Sequence, residues 1–108
     1  MISLLLGLAL AAPAPALSQA AIDASRKALV DCLRQAASIA KPGEVTLDSF
    51  AAYAKTRCAN EEAALQNAMI SFDMKNGVSR KSAAEGAQMA VDDYVETAKG
   101  KYADRAQN

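Results

Sequence analysis

Cys32 and Cys58 are the side chains of this sequence best able to form a bond, and no histidine accompanies them. A four-ligand zinc site built on this pair would have to recruit carboxylates for half of its ligands, an unusual set. The spacing is not C-x-x-C, so it gives no support to a thioredoxin-like redox role. In an oxidising compartment two such cysteines pair with each other. Closing the loop between them stabilises a fold by about 3.5 kcal/mol on the chain-entropy argument. A Cys32–Cys58 disulfide is therefore expected, against the competing reading of two buried thiols packing as small hydrophobes.

The remaining reactive side chains form no coherent centre. Ser38-Ile39-Ala40-Lys41 matches the short S-x-x-K form of penicillin-recognising enzymes. The chain is far too short for that fold, and Lys55-Thr56-Arg57 does not match the K-T-G that should accompany it. Glu61-Glu62 and Asp92-Asp93 are adjacent pairs, and neighbours on a helix point about 100° apart, so neither pair converges on one atom. No loop presents the regular Asp and Asn ligands of an EF-hand. Met69, Met74 and Met89 are soft enough for copper, but methionine at helical spacing is far more often a packing residue. Without histidine the usual general base and the usual switch between pH 5 and 8 are missing. The expectation is no enzyme, no metal and no cofactor.

These side chains need elements to position them, and the first question is which part of the chain folds. The first charged residue is Asp23. Before it run Ile2 to Ala12, mostly Leu and Ala, followed by Pro13 and Pro15. An apolar stretch of this length followed by small residues reads as a secretory signal, with cleavage after Ala16 or, preferably, after Ala20. It is too short for a membrane anchor, which needs about 20 apolar residues, and two prolines argue against a buried helix. The segment carries no Lys or Arg, so its positive charge is Met1's amino group or lies upstream. The expected division is a signal peptide over 1–20 and a single domain over 21–108, periplasmic or secreted, with no stable membrane insertion after cleavage.

Twelve Lys and Arg balance twelve Asp and Glu, so no net field favours nucleic acid or anionic lipid. From Ala21 onward twenty residues are Ala, each burying little surface. The core is thin, and a covalent staple matters more in such a domain.

The organisation is helical throughout, with no strand pattern. Leu29, Cys32, Leu33, Ala36 and Ala40 recur at three- and four-residue steps, capped by Asp23 or Ser25 and stopped by Lys41-Pro42-Gly43. Thr46 suits the N-cap of a second helix, with Asp48 in its first turn. Its stripe, Leu47, Phe50, Ala51, Ala54, Cys58, Leu65, Met69 and Phe72, stays in phase to about Lys75. Asn60-Glu61-Glu62 reads as a fresh helix start, so a break there is the alternative. Asn76-Gly77 ends this helix and Ser79 caps the next, which carries Ala83, Ala87, Ala90, Val91, Tyr94, Ala98 and Tyr102 and frays near Arg105. Gly86 and Gly100 are read as close backbone contacts.

The spacing thus predicts an all-α, three-helix up-down-up bundle over about 24–40, 47–75 and 79–105, with one interhelix disulfide. The alternative is four helices, with 60–75 folded back. In the three-helix arrangement helix 1 runs out near Gln66, leaving the far end of the last hairpin uncovered. Ile70 and Met74, rimmed by Lys75, Arg80 and Lys81, form the candidate partner contact. The reading that follows is a small exported, non-enzymatic interaction protein, with an envelope protein or a second copy of itself as partner. The alternative is a holding chaperone of the periplasmic acid-stress type, to which the chain is similar in size and in its single disulfide, and in no motif.

Overall fold

Apolar residues at three- and four-residue steps, three of the four runs opened by a capping side chain, give four helices and no strand among the described residues, 18–107 of a computed structural model. They are α1 (Gln19–Ile39), α2 (Leu47–Arg57), α3 (Ala59–Lys75) and α4 (Arg80–Gln107). The apolar leader and the boundary after Ala16 lie outside the described residues. The boundary after Ala20 falls within the first turn of α1.

Helix α1 starts earlier than Asp23 or Ser25. Ser18 is its N-cap, its Oγ accepting the Ala21 N–H at 3.0 Å, while Asp23 pairs with Arg26 at 2.7 Å on the surface. The Lys41-Pro42-Gly43 stop behaves as read, with Lys41 O accepting the N–H groups of Glu44 and Val45, each at 2.8 Å. Thr46 caps α2 and Ser49 answers it: Ser49 N–H donates to Thr46 Oγ1 at 3.1 Å and Thr46 N–H to Ser49 Oγ at 2.9 Å. This is a capping box with serine in the place usually held by Glu or Gln.

The single helix expected over 47–75 is two helices, so the three-helix count is wrong. The break is at Cys58, with φ −109° and ψ 26°, which closes α2 and opens α3. A one-residue departure barely shifts the phase of an apolar stripe, so periodicity did not register it. Asn60 is not the cap but the second residue of α3. Nor do residues 60–75 fold back. Lys55 of α2 meets Asp92, Gln66 of α3 meets Gln88, and Met74 meets Arg80. Both helices therefore run antiparallel to α4.

The path closes through α1. Cys32 and Cys58 are at disulfide distance, Sγ–Sγ 2.10 Å, with Cα atoms 6.0 Å apart. Beyond that bond, Ala24, Ser25 and Ala28 of α1 line one surface groove with Asn60, Glu61 and Ala64 of α3. α1 is thus antiparallel to α3. It extends well past the expected Asp23 start, so it covers the hairpin further than Gln66.

The core is built from Leu29, Leu33, Phe50, Leu65, Val91, Val95, Tyr102 and Cys58, each under 2% exposed, with alanines between. Phe50 stacks on Tyr102 with ring centroids 4.8 Å apart. Leu47, assigned to the stripe, is 42% exposed at the start of α2. Gly86 and Gly100 make no close backbone contact. Both are exposed, and a Cβ on either would meet nothing within 4 Å. The buried stripe of α4 is Ala83, Ala87, Val91, Val95, Ala98 and Tyr102, and both glycines fall off it.

The C-terminal part of α4 is anchored where fraying was expected. Tyr102 Oη donates to Val45 O, and Arg105 donates from Nε to Ala37 O at 2.8 Å and from Nη2 to Ala40 O. The last carbonyls of a helix lack intrahelical partners, and α1 has no basic residue in its own last turn. Arg105 supplies one from 65 residues further along the chain.

Candidate contact surface

The α3–α4 hairpin turns on Asn76-Gly77. Gly77 takes φ +93°, a left-handed conformation that glycine adopts without a Cβ clash. Val78 N–H reaches Asp73 O at 2.9 Å and Gly77 N–H reaches Met74 O at 3.1 Å. That pair of bonds is a Schellman motif. Asn76 Nδ2 adds a bond to Phe72 O at 2.8 Å. Ser79 then caps α4, accepting the Ser82 N–H at 3.2 Å.

A turn closed this tightly holds its apolar residues outward. Met74 is 42% exposed and Val78 39%, and Lys75, Arg80 and Lys81 are all exposed around them. Arg80 Nη1 lies 3.8 Å from Met74 Sδ, so the cation and the thioether share one patch. Ile70 is half-buried, as are Met69 and Phe72, and the latter two pack against the core. Of the residues assigned to this end, Met74, Lys75, Arg80 and Lys81 come together at the turn, and Ile70 lies a helical turn below. Val78 completes the patch. Its contribution follows from the Schellman motif, which fixes the residue after Gly77, and the Asn-Gly pair was the signal for it.

The other candidate groups do not come together into a site. Ser38 Oγ donates to Arg34 O at 3.1 Å within α1, and Lys41 lies beyond the end of that helix, so the S-x-x-K match builds no nucleophile. Met89 is 67% exposed. No group of three or more Cys, Asp or Glu side chains among the described residues is placed to hold a metal ion.

The acidic doublets converge in a way their spacing did not reveal, one member from each. Asp92 pairs with Lys55 at 2.9 Å and accepts from Gln88 Nε2 at 3.0 Å. These bonds hold its carboxyl below the usual range, the Lys55 bond first and the Gln88 bond second. Glu62, at the start of α3, is influenced by both Lys55 and Asp92. Its Oε2 is buried with no hydrogen-bond partner. Burial pushes its carboxyl up; Lys55 opposes this and Asp92 reinforces it. The result is a polar seam where α2, α3 and α4 meet, with one carboxylate paired and one desolvated.

Neither a family model, nor a curated protein, nor a solved structure matches this chain. No helix among the described residues is long and apolar enough to cross a membrane.

Proposed function

We propose that this chain is an exported, non-enzymatic interaction protein that contacts an envelope protein or a second copy of itself through the α3–α4 turn. The observation that carries this reading is the exposure of Met74 and Val78 at a rigid turn, with Lys75, Arg80 and Lys81 around them. Exposed apolar residues rimmed by charge are the usual make-up of a contact surface. Export rests on the apolar segment ahead of Asp23 and agrees with a cysteine pair at bonding distance, because disulfides persist in oxidising compartments.

The test places a photo-crosslinking residue at Met74, Val78 or, as a control on α4, Glu96, in the exported protein. Adducts confined to positions 74 and 78, and lost in a Met74→Asp, Val78→Asp variant that melts normally, support the contact. Equal adducts at Glu96, or none at the turn, overturn it. Intact-mass analysis of the same material checks export, which requires an N-terminus at Leu17 or Ala21. Ile70 is a poorer test position than its spacing suggested, because half-burial mixes stability into the result.

The second reading is a holding chaperone opened by acid, favoured by the Lys55–Asp92 pair that ties α2 to α4. Protonating Asp92 removes that tie, below the ordinary carboxylate range because its pKa is lowered. A chaperone of this kind suppresses client aggregation at pH 2 to 3. A chain that stays closed and protects no client there is not one.

A further inference from the structure

Cys58 is both the point at which α2 and α3 separate and the point tied to α1. Sharp breaks in helices have identifiable causes, chiefly Pro, Gly, a π-bulge or an inserted group. Residues 54–62 read Ala-Lys-Thr-Arg-Cys-Ala-Asn-Glu-Glu, with neither Pro nor Gly. The buried positions Ala54, Cys58 and Leu65 remain in helical phase across the break. α3 gains no side-chain cap from Cys58, so the local sequence offers no hydrogen bond in exchange for the interruption. Cys58 N–H still reaches Ala54 O at 2.8 Å, and Glu62 N–H reaches Cys58 O at 2.9 Å. At Cys58 ψ is 26°, about 70° from the helical value. Glu61 and Glu62 in the first turn of α3 suit a helix start, and at Cys58 itself the feature with no counterpart in an uninterrupted helix is its tether to α1.

We propose that the Cys32–Cys58 bond is a redox-sensitive latch on helix continuity. Oxidised, it holds α2 and α3 as two helices; reduced, it lets residues 47–75 join as one. A small dithiol supplies the two electrons and two protons. Its thiolate attacks the Cys32 sulfur, which belongs to the half-buried partner of the pair. Cys58 leaves as a thiolate and takes up a proton. The second thiol of the reductant then displaces Cys32 as a thiol, leaving the reductant as a cyclic disulfide. Joining the helices re-aims α2 about Cys58. Lys55 leaves Asp92, and Phe50 moves against Tyr102.

The test is backbone NMR of the isotope-labelled mature chain, oxidised and after treatment with dithiothreitol, beside a Cys32→Ala, Cys58→Ala double variant that cannot form the bond. In an unbroken helix the Ala59 and Glu61 amides donate to the Lys55 and Arg57 carbonyls. Reduction and the double variant should therefore each slow exchange of these two amides by about tenfold, and move the residue-58 Cα shift to a helical value. The amides of α1 and α4 should remain protected. If residue 58 keeps its non-helical shift in the folded reduced protein and in the variant, the local sequence makes the break and the latch is refuted. Loss of protection throughout α1 and α4 in both samples refutes it equally, since the bond then serves as a staple of the whole fold.

Discussion

Arg105 offers the sharpest test of how this thin core is held. Its guanidinium reaches two carbonyls at the end of α1, Ala37 O and Ala40 O, and lies 5.6 Å from the centre of the Tyr102 ring. Hydrogen bonds made by charged groups contribute about 1.5–3 kcal/mol each when shielded from water. Arg105 as a whole is exposed, so water competes for the same carbonyls, and the lower end of that range applies to the pair together. Arg105→Met keeps the aliphatic stem and deletes both bonds, with an expected loss of about 1–2 kcal/mol. For a small domain with a urea dependence near 1 kcal/mol/M, the unfolding midpoint should fall by about 1–2 M. Arg105→Lys retains the charge without the fork and should recover part of the loss. Tyr102→Phe deletes the bond to Val45 O while keeping the stack on Phe50, for about 1 kcal/mol. Urea titration followed by far-ultraviolet circular dichroism measures all three. An Arg105→Met midpoint equal to that of the parent would show that α1 ends securely without it, and the cap would then be incidental.

Gly86→Ala and Gly100→Ala should each raise stability by about 1 kcal/mol, because both glycines lie in the interior of α4 with open space where a Cβ would go; a drop in melting temperature would mean a neighbour is present after all. Glu62→Gln should stabilise the protein at pH 7, since a carboxyl whose folded pKa is raised favours folding when neutral and loses that favour as pH rises through the raised value. The gain should disappear below about pH 4, where the parent Glu62 is itself protonated. A gain that persists unchanged at pH 3 would assign the effect to something other than charge. Leu65→Ala should cost about 2–5 kcal/mol, as Leu65 is fully buried at the centre of α3; a cost under about 1 kcal/mol would mean the site collapses around the smaller side chain.

Features written in local chemistry were legible in the sequence. Thr46 and Ser79 cap, Asn76-Gly77 turns, Lys41-Pro42-Gly43 stops, and the cysteine pair comes together. In each the deciding interaction spans a few residues or involves a scarce residue type. Features set at a distance were not legible. The break at Cys58 has no helix-breaking residue and preserves the apolar phase, so only Asn60-Glu61-Glu62, two residues on, marks a helix start there, and the unbroken stripe outweighs it. Arg105 looked like a fraying end because its partners, Ala37 and Ala40, are backbone carbonyls, which carry no sequence signal. Gly86 and Gly100 were misplaced because a stripe of alanines leaves the facing angle of α4 poorly determined, and the unassigned Val95 shows where it turns. Ser18, the first cap, lies in a small-residue stretch that reads equally as a cleavage site, so its capping role is not legible there. At the contact surface the charges and Met74 were readable, whereas the half-burial of Ile70 was not.

The Arg105 cap also sets an order of events in time. A chain made from its N-terminus presents α1 long before α4 exists, and the carbonyls of Ala37 and Ala40 stay open to water until Arg105 arrives. Val45 O likewise waits for Tyr102. Isolated helices as short as α2 are marginal in water, and α1 has no partner for its apolar face until the later helices are made, so the early part of the chain stays pliable while the later part is still being made. The arrangement ties completion of the first helix to residues near the far end of the sequence, so the fold closes only once α4 is in place.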